Sequence, residues 1–99
     1  MKYAFMSFST PSLTLAETLA VAAKYGYAGI EPRLDADHAH GIEVHASPAQ
    51  RRAIVEQAGQ AGIELACLAT SLAYADPDKT VDMVTQSHER IDLAADLGV

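Results

Sequence analysis

Only one cysteine, Cys67, occurs in the 99 residues, so no disulfide can form within the chain and a reducing, cytoplasmic compartment is expected. Positive charge is also scarce. Seven Lys and Arg residues stand against 13 acidic ones, a net charge of −6, which repels phosphate backbones and argues against a nucleic-acid partner. Long hydrophobic runs are missing. Met1 to Ser9 holds one lysine and a brief interrupted apolar stretch, too short for a signal-peptide core or a membrane span, so no membrane partner is expected. Glycine-rich phosphate cradles are absent too. Ser7 to Ser12 contain no glycine where a first strand meets a first helix, and neither G-x-G-x-x-G nor G-x-x-x-x-G-K-[ST] occurs, which removes support for a nucleotide-binding fold. Finally, no linker, charge block or low-complexity tract divides the chain, so residues 1–99 read as a single domain.

What is present is a repeat. Gly26, Gly62 and Gly98 stand 36 residues apart, each after a helix-like stretch and each followed by an apolar residue, Tyr27, Ile63 and Val99. A glycine in that position takes the left-handed conformation just past a helix, where a side chain would clash. Tyr3 to Ser9 reads as a first strand ending in the turn Thr10, Pro11, Ser12. Thr14 and Glu17 form a capping box for a first helix with Leu15, Leu19, Ala22 and Ala23 at helical spacing. Tyr27 to Pro32 reads as a second strand, with Pro32 at its end because it lacks a ladder donor. Ser47, Pro48 and Gln50 start a second helix with an apolar stripe of Ile54, Val55, Ala58 and Ala61. Ile63 to Ala69, near-continuously apolar, has the pattern of a parallel strand buried on both faces, which places Cys67 in the core. Asp76 and Pro77 are expected to open a third helix with Val81, Val84, Ile91 and Ala95 inward. The order βαβαβα implies parallel strands joined by right-handed crossovers, in a doubly wound sheet or in three units of a (β/α)8 barrel.

In either architecture the site lies at the carboxyl ends of the strands. Those ends carry Ser7 and Ser9, then Glu31, Arg33 and Asp35, then Thr70 and Ser71 with Tyr74 beyond. Polar loops are ordinary, so Ser9, Thr70 and Ser71 are equally read as loop residues. Glu31 and Arg33 bracket Pro32 either as a structural ion pair or as a site whose guanidinium takes a substrate phosphate or carboxylate in bidentate fashion. The connection from Arg33 to Ala46 exceeds the usual two to six residues. It carries Asp35, Asp37, His38 and His40, a set that suits a divalent ion but also suits substrate contact or plain solvation. Alternation at Ile42 to His45 suggests an extended piece with Glu43 and His45 on one side. His88 reads as a packed helix residue near Val84 and Ile91.

Gly26 to Glu31, in the order Gly-Tyr-Ala-Gly-Ile-Glu, resembles the second strand of the xylose isomerase-like TIM barrels, the sugar phosphate isomerase/epimerase superfamily. Gly62, Ile63, Glu64 and Leu65 with Ala66, Cys67 and Leu68 resemble that family's third strand. Ile91 to Gly98 is similar to its third helix running into strand four. The resemblance implies the first three βα units of a truncated (β/α)8 barrel. It also implies a sugar or sugar phosphate as substrate, and a divalent metal (manganese, magnesium or zinc) beside which carboxylates move a proton next to a carbonyl. The family's metal ligands come mainly from the second half of the barrel, so none is carried onto this chain and its catalytic residues are unassigned. Glu31 matches the Gly-Ile-Glu position and is expected at the barrel mouth, with Arg33, His38, His40 and Ser71 as further candidates for substrate contact.

Two other readings stay open. An endonuclease IV-like nuclease uses the same fold, although the acidic balance counts against it. A non-catalytic module would pair the open edges of its sheet with another copy, giving a homo-oligomer.

Overall fold

In the computed structural model, which describes residues 1–99, the chain forms three parallel strands in one open sheet and three helices. The strands are β1 (Ala4–Met6), β2 (Gly29–Glu31) and β3 (Glu64–Leu65); the helices are α1 (Leu15–Lys24), α2 (Pro48–Ala61) and α3 (Thr80–Leu97). A short 3-10 turn, Ser7–Ser9, follows β1. Strand order is β1-β2-β3, with Ala4, Phe5 and Met6 opposite Gly29, Ile30 and Glu31, and Gly29 and Ile30 opposite Glu64 and Leu65. No helix is long and apolar enough to cross a membrane.

Local signals define the helix ends. Thr14 and Glu17 form a reciprocal capping box on α1, as do Ser47 and Gln50 on α2. At the other ends the three glycines take φ of +78°, +69° and +74°. Each is closed by the same bond, from the next amide back to the fifth carbonyl before it: Tyr27 to Ala22, Ile63 to Ala58 and Val99 to Ala94, at 2.9 to 3.1 Å. One helix terminus is therefore built three times.

The strand order never reverses, so the two right-handed crossovers place α1 and α2 on one face, and α3 packs beside α2 on the same core. There Leu15, Leu19, Ala22, Ile30, Ile54, Ala58, Ile63, Leu93 and Leu97 share one core with the loop residues Leu34 and Ile42. Each fully buried Leu or Ile contributes on the order of 2 kcal/mol from apolar burial. By strand alternation, Ala4, Met6, Gly29, Glu31, Glu64 and Ala66 point to the opposite face, which no helix covers. Strands pack closely at Gly29, where an added Cβ would lie 2.8 Å from the Glu64 carbonyl.

Several sequence expectations are corrected. β1 stops at Met6 because the chain turns at Ser7, and β3 spans two residues because nothing pairs with its outer edge. A single further bridge, Arg33 to Ala69, extends the pairing. Cys67 is exposed on that open edge rather than packed in the core. α3 begins at Thr80; Asp76 and Pro77 lie in a preceding turn, where the Asp76 carboxylate accepts the Asp78 N–H. The apolar phase of α3 is also different. Leu93 and Leu97 are buried, whereas Val81, Val84 and Ile91 are exposed, Ile91 by 64%. His88 is exposed, and Val55 and Ala61 of α2 face solvent. Ile42 to His45 form no strand; Glu43 is buried and His45 exposed.

Candidate functional site

Arg33 is the hub of the polar groups at the carboxyl ends of the strands. Its backbone N–H donates to Ser7 Oγ at 2.8 Å, which ties the loop after β2 to the turn after β1. Its guanidinium reaches the other way, donating to the Thr70 carbonyl at 2.6 Å and to Ser71 Oγ at 2.7 Å, beyond β3. The same group sits 5.3 Å from the centre of the exposed Phe8 ring. One residue thus connects all three strand ends. No ion pair with Glu31 forms, because β2 alternation turns Glu31 to the uncovered face, where it lies by Cys67. Burial together with the Glu31 carboxylate pushes the Cys67 thiol up from its ordinary value.

His38 and His40 fold back beneath this hub. The backbone turns sharply to bring them there: Asp35 and Asp37 hold φ of +64° and +51°, and the Ala39 N–H donates to the Pro11 carbonyl. His38 is buried, with Nδ1 2.9 Å from Ser7 Oγ and its ring edge-on to both Phe8 and His40. His40 Nδ1 accepts the Ile42 N–H at 2.9 Å, while its Nε2 is buried with no partner of ordinary hydrogen-bond geometry. Burial holds the His40 imidazole below its ordinary value, against the pull of Glu43 and the Arg33 backbone. Burial therefore favours the neutral form of the His40 imidazole.

Acidic residues of the same loop are also committed. The Glu43 carboxylate accepts the Asp35 N–H through both oxygens, at 2.9 and 3.1 Å. Asp35 Oδ2 accepts the Ser71 N–H and both Asp35 oxygens accept from Arg90 of α3. Burial pushes the Asp35 carboxyl up, but the Arg90 and Ser71 hydrogen bonds and the charges of Arg90 and Arg33 outweigh it and hold it below its ordinary value. Ser71 is clamped at both ends, its N–H by Asp35 and its hydroxyl by Arg33.

The structure brings Arg33, His38 and Ser71 together around Ser7 and Phe8, and sets His40 behind them. Glu31 faces away, and Ser9, Asp37 and His45 are exposed. Thr70 Oγ1 accepts the Leu72 N–H, and Tyr74 hydrogen-bonds Ser87 through their hydroxyls. No three His, Cys, Asp or Glu side chains converge as a group that could hold a metal ion. Two participants were not signalled by the sequence reading. Phe8 had a visible cue, an aromatic residue between two serines at a strand end, whereas nothing local to Arg90 marks its pairing with Asp35.

Chemically, the hub offers donors. The Ser71 hydroxyl accepts from Arg33 and keeps its own hydrogen for a ligand, and Arg33 adds positive charge beside an apolar ring. Such a surface suits substrate oxygens. Comparisons of the chain with protein-family models, with curated proteins and with solved structures give no match.

Proposed function

We propose that this chain contributes three βα units to a (β/α)8 barrel that isomerises or epimerises a sugar or sugar phosphate in the cytoplasm. In that barrel it supplies substrate-binding groups rather than proton-transfer groups. The observation that carries this reading is the Arg33 hub, which donates to groups beyond β1 and β3 and so ties all three strand ends together at the carboxyl side of a parallel sheet. Three further features support a barrel over a doubly wound sheet: the unreversed strand order, the uncovered sheet face and the open outer edge of β3. Along that edge a groove of about 450 Å³, lined by Ala66, Leu68, Ile91, Ala94 and Val99 among others, has the apolar character of an unfinished core. The resemblance of the Gly-Ile-Glu segment to the sugar isomerase superfamily supplies the reaction class.

The residues present do not fit the divalent metal of that class, so manganese, magnesium or zinc would be held by groups outside this chain. What the chain does is bind and orient. Arg33 takes an anionic or hydroxyl oxygen, Ser71 donates to a second oxygen, and Phe8 covers an apolar sugar face. The test is exchange of the hydrogen beside the carbonyl of ketose phosphates into deuterated water with added Mn²⁺. A polypeptide containing further βα units is expected to catalyse exchange and the 99 residues alone are not. Exchange by the 99 residues alone, or none by the longer protein over a panel of pentose and hexose phosphates, overturns the reading.

A second reading, self-association, is favoured by one observation. Ile91 and the open β3 edge leave apolar side chains and strand backbone available to another copy. Sedimentation velocity decides it: a concentration-dependent dimer lost in Ile91→Lys supports association, and a monomer at all concentrations excludes it.

A further inference from the structure

Ser7 has a buried hydroxyl with two hydrogen-bonding neighbours, and they settle which way its hydrogen points. The Arg33 N–H at 2.8 Å can only donate, so it takes a lone pair on Oγ. The Ser7 hydrogen then has one acceptor within reach, His38 Nδ1 at 2.9 Å. If His38 donated instead, the Ser7 hydroxyl would be left buried with a hydrogen and no acceptor, at a cost of about 1 to 3 kcal/mol. His38 Nδ1 is therefore the acceptor and the ring proton of the neutral imidazole sits on Nε2. Unlike His40 Nε2, His38 Nε2 is not sealed from solvent, although no protein group bonds it.

We infer that Ser7 is a positioning residue that locks His38 as a neutral Nε2–H donor, facing a carbonyl or hydroxyl oxygen of the ligand. In this role His38 neither abstracts a proton nor ligates a metal, because both need a bare Nε2. The neighbouring groups agree: Arg33 is cationic and permanently a donor, Ser71 has its hydrogen free, and His40 stands edge-on behind His38 with its own Nδ1 engaged. The ligand part of this inference rests on the sugar-binding reading above. The lock itself does not.

Long-range ¹⁵N–¹H correlation spectra of the histidine rings in the ligand-free chain, at pH 7.5, read the tautomer directly. His38 is expected as a single Nε2–H form; an Nδ1–H form overturns the lock. Ser7→Ala is expected to give a mixture of tautomers and Ser7→Thr to restore the single form, with far-UV circular dichroism confirming the fold. An unchanged tautomer in Ser7→Ala overturns the role of Ser7. Should that variant fail to fold, Ser7→Cys, a weak donor, replaces it with the same two outcomes. One equivalent of Zn²⁺ is expected to leave the His38 ring signals in place, and their displacement refutes the exclusion of metal ligation. Addition of a pentulose 5-phosphate is expected to move the His38 Nε2–H resonance. No movement with the tautomer intact refutes the sugar ligand and leaves the lock standing.

Discussion

Arg90 of α3 grips Asp35 across 55 positions of sequence, with Nη2 2.6 Å from Oδ1 and Nε 3.3 Å from Oδ2. Both side chains are mostly shielded from solvent, and Asp35 also accepts the Ser71 N–H. The pair pins the loop after β2 and the loop after β3 to the last helix, so the Arg33 hub is held from outside.

Asp35→Asn removes the charge from that pin and is expected to cost about 1 to 2 kcal/mol at pH 7 in urea unfolding. The folded Asp35 has a lowered pKa, so its contribution is present above the unfolded value near 3.8 and is lost as pH falls through the folded value below it. The difference between wild type and variant therefore shrinks below about pH 4. A difference that persists unchanged at pH 2 contradicts the ion-pair account.

Arg33→Lys replaces a planar fork by a single ammonium that cannot serve both the Thr70 carbonyl and Ser71 Oγ in the same geometry. A loss of about 1 to 2 kcal/mol is expected, together with severalfold faster chymotryptic cleavage near Leu72 and Tyr74. Cleavage at the wild-type rate shows that the hub does not hold the loop.

His40 is kept neutral by burial, so the folded state binds its proton less readily than the unfolded chain. Its contribution to stability is present above the ordinary value of 6.5 and is lost as pH falls through the lower folded value. His40→Asn retains an acceptor for the Ile42 N–H and does not titrate. The variant's stability is expected to vary less with pH below 6.5, measured by urea midpoints; parallel curves contradict the assignment.

Much of the scaffold is written locally. Thr14 with Glu17, Ser47 with Gln50, and the three glycines each act within a few residues, and each is legible from spacing alone. The misreadings arise where burial depends on partners distant in sequence. Val81, Val84 and Ile91 are as apolar as Leu93 and Leu97, and only packing against α2 decides which of them are covered. Cys67 lies in an apolar run that would be central with a strand on each side, yet β3 is an edge. At the site, Arg33 and Ser71 stood out as polar residues at strand ends and His38 as part of an unusually long connection. Their connection through Ser7, and the Asp35 grip on Arg90, are tertiary contacts with no periodic trace.

Cys67 reports on Glu31. The exposed thiol is expected to react in the native state with an aromatic disulfide reagent, slowly at pH 7 and still accelerating above its ordinary value of 9.0. Glu31→Gln removes the repelling charge and is expected to raise the rate at pH 8 roughly two- to threefold. An unchanged rate places Glu31 away from Cys67.

The most direct test of the site is a titration of the ¹⁵N-labelled chain with a pentulose 5-phosphate, followed in amide and histidine-ring spectra. Shifts concentrated at Phe8, Arg33, His38 and Ser71 are predicted. An unperturbed spectrum, or shifts centred on the groove at Ile91 and Val99, contradicts the assignment of the Arg33 hub as the sugar-binding mouth.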